Sequence, residues 1–177
     1  MSNNQIVYDI NKTVCFTGHR PDKLGGFDIN NHIAQKIKLK LKEAIIKSIN
    51  DGFDTFISGG ALGVDQYAAE IVISLKNDYP HIKLVIARPF PSQEKIWNQQ
   101  SKKLFHTICS KADFIVDVSP DPYSAWKMQV RNEYMIKNSS LLIAVYDGSD
   151  GGTGNTVKFA IKKNKKIIYI NPKDFFS

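Results

Sequence analysis

Six short runs rich in β-branched and aromatic residues, Thr13 to Thr17, Thr55 to Ser58, Leu84 to Ala87, Phe114 to Val118, Leu141 to Tyr146 and Ile167 to Ile170, alternate with longer segments of helical periodicity. Between the first two, Ile33, Ile37, Leu41, Ala44, Ile45 and Ile49 recur at helical spacing and predict a helix that lays one apolar stripe on a sheet. Strand and helix in strict alternation predict βαβ units. Parallel strands need such crossovers, and their sheets are buried on both faces. The expected fold class is α/β, a three-layer Rossmann-like domain with a mainly parallel sheet. Nothing reads as a linker or a repeat, so residues 1–177 are expected to form a single domain.

Two predicted strands run into glycine clusters. Phe56-Ile57-Ser58 meets Gly59-Gly60-Ala61-Leu62-Gly63-Val64-Asp65 ahead of a helical pattern. Leu141 to Tyr146 meets Asp147-Gly148-Ser149-Asp150-Gly151-Gly152-Thr153-Gly154-Asn155-Thr156, with a helix expected from Val157. Glycine lets the backbone approach a ligand and take positive φ, and the first turn of the following helix offers unpaired N–H groups and a positive dipole end to an anion. An ordinary turn of small residues has the same composition; its occurrence twice favours a phosphate cradle. In open α/β sheets ligands collect at the carboxyl ends of the strands, near the point where strand order reverses. The unusual residues of this chain stand at those ends: Thr17-Gly18-His19-Arg20-Pro21, Ser58-Gly59-Gly60, Arg88-Pro89-Phe90-Pro91 and Asp147-Gly148.

Composition narrows the class. Apolar content of 42% and charged content of 23% are those of a globular protein. No stretch approaches membrane-spanning length, and Met1 to Gln5 lacks the regions of a signal peptide, so a cytoplasmic location without membrane partners is expected. Cys15 and Cys109 form no CxxC pair and read as buried free thiols. His19, His32, His81 and His106 lack metal-site spacing; neither a metal nor a resident cofactor is expected. The charge of +7 is concentrated in lysines 36, 38, 40, 42 and 47 and lysines 158, 162, 163, 165 and 166, both segments reading as solvated helix faces. Salt-sensitive attraction to nucleic acid is the less favoured alternative.

The stretches Thr17 to Gly26, Ser58 to Asp65, Pro89 to Trp97, Arg131 to Met135 and Gly151 to Thr156 follow one another across most of the chain. In that order they resemble the SLOG superfamily, near its YpsA/YoqJ-type members. The resemblance implies a Rossmann-like pocket for a nucleotide or an ADP-ribose-like signal, and a homodimer, which a monomeric mass in solution scattering would remove. LOG-type phosphoribohydrolases, which release a base from a nucleoside 5′-monophosphate, are similar at Arg131 and Met135 and at a PGGxGTxxE loop. In that loop Asp150 stands for the proline, Asn155 for the threonine and Lys158 for the glutamate. Cleaving an N-glycosidic bond passes through an oxocarbenium-like state that a carboxylate stabilises. A lysine there argues for holding a phosphate rather than cutting a sugar, with Glu94 and Glu133 left as carboxylates from other loops.

Candidate roles follow, each with its plainer alternative. Gly151, Gly152, Thr153, Gly154, Asn155 and Thr156 are the first choice for a phosphate loop. Gly18 precedes His19, which either donates to phosphate or fixes its loop, and Arg20, which either grips phosphate or pairs on the surface. Gly59 and Gly60 permit a tight turn; Ser58 and Asp65 are ligand candidates, Asp65 for a ribose hydroxyl or, more plainly, for its helix dipole. Arg131, by the LOG resemblance, binds phosphate or orients ribose, or more plainly sits on the surface; Glu94 and Arg131 are the catalytic candidates, Glu94 more plainly being an exposed first-turn glutamate. Trp97 either stacks on a base or caps the core, and Tyr123 and Trp126 are candidate pocket walls. Three functions remain: a nucleotide-signal binder acting as sensor, carrier or sponge, which suits a phage-encoded chain; an N-glycosidic enzyme; and, from the likeness of Ser58 to Asp65 to a loop of DprA, a single-stranded DNA binder.

Overall fold

Thr13, Val14, Cys15 and Phe16 are sealed from solvent, as a central strand covered on both faces must be. In the computed structural model, which describes residues 6–28 and 30–176, they open β1 (Thr13–Gly18). There follow α1 (His32–Asn50), β2 (Thr55–Ser58), α2 (Val64–Leu75), β3 (Lys83–Arg88), α3 (Gln99–Lys111), β4 (Phe114–Asp117), α4 (Ala125–Lys137), β5 (Leu141–Val145), α5 (Gly152–Lys162) and β6 (Lys166–Ile170). The strands form one parallel sheet in the order β4-β3-β2-β1-β5-β6. All six predicted runs are strands, with ends within one residue of expectation.

Alternate strand residues feed two cores, as the period of two requires. Phe16, Phe56, Leu84, Ile86 and Ile143 pack with Ile37, Leu41 and Ile45 of α1, Val64 and Val72 of α2, and Phe105 and Ile108 of α3. Cys15, Ile57, Val85, Leu142 and Ala144 pack with Met135 and Ile136 of α4 and Val157 and Ala160 of α5. From β1 the chain steps outward through β2, β3 and β4, then returns by α4 to β5 on the other side of β1. Strand order therefore reverses between β1 and β5, and the loops leaving these two strands diverge over a crevice.

Three expectations are corrected. The second glycine cluster is not a loop up to Val157, because α5 begins at Gly152. Glycine's poor helix propensity argues for a loop locally, but tertiary contacts override it: a Cβ on Gly154 would lie 2.8 Å from the Ser149 carbonyl and 3.1 Å from the Tyr146 hydroxyl, so close packing requires glycine inside the helix. Lys166 opens β6 rather than extending a basic helix. Cys109 is half-buried, whereas Cys15 is fully buried and accepts a hydrogen bond from Ser139 Oγ at 3.1 Å. Burial pushes the two thiols up, to about 12 for Cys15 and about 11 for Cys109. Among the described residues no helix is long and apolar enough to cross a membrane.

Candidate functional site

The two lips of the crevice are stapled together. His19, only 5% exposed, leaves β1 and places Nε2 2.8 Å from Oδ1 of Asp147, which follows β5. The Asp147 N–H also points at that nitrogen from 3.3 Å. One nitrogen cannot both donate and accept, and the nearer carboxylate is the stronger partner, so Nε2 carries the proton. Ser149 donates to the same Oδ1 from its hydroxyl (2.6 Å) and its N–H (3.0 Å), and Lys23 Nζ donates to Ser149 Oγ at 3.1 Å.

The Ser149 hydroxyl, with its N–H and His19 adding, holds the Asp147 carboxyl well below the usual carboxylate range. A depressed folded pKa stabilises fully above the unfolded value of about 3.9 and is lost as pH falls through the folded value. Asp147→Asn is thus expected to melt below wild type at pH 7, with the gap closing as pH falls below about 4. A gap that stays constant across that range in pH-resolved melting would contradict the assignment.

The floor of the crevice is built from β2, α2 and α4. Ser58 is fully buried; its hydroxyl donates to the Asp65 carbonyl at 2.7 Å and accepts from Gly60 N–H at 3.2 Å, tying β2 to the first turn of α2. Arg131, 3% exposed, donates through Nη1 to the carbonyls of Gly59 (2.6 Å) and Ala87 (3.2 Å) and through Nε to Asn132 Oδ1 (2.9 Å). A Cβ on Gly59 would collide with that guanidinium and lie 2.6 Å from Asp65 Oδ2. Burial pushes the Asp65 carboxyl up, opposed by Arg131, Arg20 and the Ala61 N–H. Burial pulls Arg131 down, with Asp65 opposing and Arg20 reinforcing.

Between lips and floor lies a cleft of about 310 Å³. Gly18, His19 and Arg20 line it from β1, Asp65 from α2, Arg131 from α4, and Gly151, Gly152 and Thr153 from the start of α5. No side chain caps α5. The Asn155 N–H bonds the Gly151 carbonyl, while among the described residues the N–H groups of Gly152, Thr153 and Gly154 find no acceptor. Arg20 is exposed and, among the described residues, makes no ion pair; the surface pairing that was its alternative is not seen. Nη2 of Arg131 likewise has no acceptor among the described residues.

Other candidates stand elsewhere. Ser58, Gly59 and Gly60 lie behind the cleft wall, and Gly154, Asn155 and Thr156 lie outside the lining, with Thr156 Oγ1 bonded to the Gly152 carbonyl at 2.9 Å. Glu94 is turned to α3, where Oε1 lies 3.1 Å from His106 Nε2. Glu133 accepts from Gln129 at 3.3 Å. Lys158 is an exposed partner of Asp150 at 3.3 Å and does not line the cleft, so its charge is not placed to hold an anion there. Trp97 packs edge-on against Phe105 at 5.4 Å, Tyr123 edge-on against Phe90 at 5.7 Å, and Trp126 is exposed. Met128 was not singled out in the sequence, and Lys23, Asn132 and Asp147 stood in the singled-out stretches without an assigned role. Met128 lies one helical turn before Arg131, so same-face spacing was its signal; Asp147 had none beyond its place after a strand.

The YpsA family model, that of the YspA SLOG family, matches residues 14–175. A UPF0398 protein of Halalkalibacterium halodurans is 33% identical over 169 residues, covering 92% of this chain and 89% of that protein. The SPbeta prophage-derived protein YoqJ of Bacillus subtilis is 41% identical over 140 residues, covering 70% and 82%. Among solved structures, DNA processing protein A from Helicobacter pylori, described for its single-stranded DNA binding mode, superposes with a TM-score of 0.61 at 20% identity. Its counterpart from Streptococcus pneumoniae gives 0.60 at 14%. The chain spans 66% and 50% of those two structures, and at such identities the likeness establishes the Rossmann-like fold.

Proposed function

The chain belongs to the YpsA family of SLOG proteins, and on that premise we propose that it binds a phosphorylated, nucleotide-derived small molecule of mononucleotide or ADP-ribose type. The observation that carries the reading is that an unpaired Arg20 and the uncapped first turn of α5 line one cleft at the β1/β5 switch point. Phosphate oxygens accept from the Gly152 and Thr153 N–H groups and from the Thr153 hydroxyl, and the Arg20 fork closes over them. The stapled lips hold these donors in place before the ligand arrives, which lowers the ordering cost of binding. A role as sensor, carrier or sponge of a nucleotide signal needs no further group, and the similarity to a prophage-derived protein suits a sponge.

Thermal-shift and calorimetric screens over AMP, NAD, ADP-ribose, cyclic ADP-ribose and cyclic dinucleotides test this. A ligand at a hundred times its Kd adds about 2.7 kcal/mol, or a rise of about 5–10 °C for a chain of this size. Arg20→Ala is expected to weaken that ligand about tenfold or more, with the unliganded midpoint unchanged because the Arg20 side chain contacts no acceptor among the described residues. Silence across the panel sinks the reading.

One observation favours catalysis at an N-glycosidic bond: of the three carboxylates that line the cleft, Asp22, Asp65 and Asp150, Asp65 is buried beside Arg131 with its pKa raised, while Glu94 lies outside the lining. Base release from nucleoside monophosphates that disappears in Asp65→Asn would support it. Single-stranded DNA binding draws on the H. pylori neighbour; it requires affinity that falls steeply with salt.

A further inference from the structure

We propose that the phosphate cleft continues into an apolar pocket that takes the planar base of the same ligand, so that a nucleoside phosphate is recognised at both ends; this rests on the anion-binding reading above. A hollow of about 450 Å³ adjoins the cleft and shares Arg20 and Met128 with it. Phe90, Ile96, Trp97 and Tyr123 form its walls. Ile96 is 90% and Tyr123 64% exposed, an apolar patch of the kind that marks a binding surface rather than a solvated face.

The walls are braced. Tyr123 is held edge-on to the buried Phe90 and Trp97 edge-on to the buried Phe105. Ser92 Oγ donates to Asp121 Oδ1 at 2.6 Å, tying the segment after β3 to the one after β4. The buried Lys127 clamps that second segment through the carbonyls of Pro120 (2.6 Å) and Pro122 (2.7 Å). Aromatic rings fixed in this way give a stacking surface whose ordering cost is already met by the fold.

Gln93 adds a polar group to the apolar walls. It lines the hollow and is 5% exposed; Nε2 donates to the Gly59 carbonyl at 3.3 Å, which sets the amide orientation. Its Oε1 is sealed from solvent and has no donor among the described residues, so a turn of the amide toward the hollow presents an unsatisfied acceptor to a ligand donor. A nucleobase offers a flat face for the rings and an N–H or amino donor for that oxygen, and an acyl chain offers neither. The same Gly59 carbonyl accepts from Arg131 Nη1 at 2.6 Å, so base pocket and phosphate cleft share one backbone anchor.

Calorimetric titration of the whole chain with ribose 5-phosphate and with AMP, GMP, CMP and UMP tests this. At least one monophosphate is expected to bind about tenfold or more tightly than ribose 5-phosphate, the scale of one stacked base. Tyr123→Ala and Gln93→Leu are expected to erase that advantage while keeping the affinity for ribose 5-phosphate within about twofold, since neither residue lines the phosphate cleft. In Trp126→Phe protein, where Trp97 is the remaining tryptophan, the preferred monophosphate should quench emission and ribose 5-phosphate should not. If ribose 5-phosphate binds and no monophosphate exceeds it tenfold, or if the advantage survives both substitutions, the base pocket is wrong and the anion site stands. If no phosphate compound binds, the anion site falls and the base pocket with it.

Discussion

Arg131→Ala is expected to lower the unfolding free energy by about 3–5 kcal/mol, since buried acceptors left without a charged donor cost about 1–3 kcal/mol each. The guanidinium is almost fully buried and serves three acceptors, the carbonyls of Gly59 and Ala87 and the amide of Asn132, so one truncation strips donors from β2, β3 and α4 together. It also leaves Asp65 buried beside a void. At about 2–4 °C per kcal/mol for a chain of this length, the midpoint should fall by about 6–20 °C. Arg131→Lys should recover only part of the loss, because an ammonium lacks the planar fork that reaches separate acceptors. Denaturant titration of Arg131→Ala beside Arg20→Ala separates the arginine that builds the cleft from the one proposed to grip a ligand. An Arg131→Ala midpoint equal to wild type would refute the scaffold role.

Gly63→Ala is expected to cost about 2–6 kcal/mol, combining a backbone conformation that L side chains rarely adopt with overpacking. Gly63 sits at φ 93°, and an added Cβ would lie 2.5 Å from the His19 carbonyl and 3.1 Å from Arg20 Cα. The His19 carbonyl is backbone, so no rotamer change relieves the clash; the β1 loop has to move, carrying His19 away from Asp147 and Arg20 out of the cleft. Ligand affinity and stability should therefore fall together. Gly52→Ala is the control: φ is 98° there as well, but the Cβ meets nothing within 4 Å, so the loss should be confined to about 1–3 kcal/mol of backbone strain with binding intact. Equal stabilities for the two variants would show that the His19 contact is unimportant.

Much of the cleft was legible in the chain. Gly18, His19, Arg20, Asp65, Arg131, Gly151, Gly152 and Thr153 were all expected at a ligand site and line one cleft. They were legible because the carboxyl ends of parallel strands are set by topology, and topology follows from periodicity. The misplaced candidates share a cause. Ser58 was expected at a ligand but faces α2, Glu94 faces His106 and Lys158 faces Asp150. Each sits in the right segment, with its direction settled by a neighbour that local pattern does not encode.

By itself, the alternation of apolar runs and helical stripes determined six strands, the layers around them and the edge where a ligand would gather, because burial on a sheet face repeats every two residues and on a helix every three or four. The tertiary structure alone decided which polar groups meet there. His19 finds Asp147 across 128 positions and Arg131 finds Gly59 across 72, while the glycine cluster after β5 becomes the first turn of a helix because Tyr146 and Ser149 pack against it. Short-range periodicity carries no information about such pairings; they follow from where the crossovers return the chain, and they bring the loops after β1, β2 and β5 to one cleft with an apolar pocket beside it.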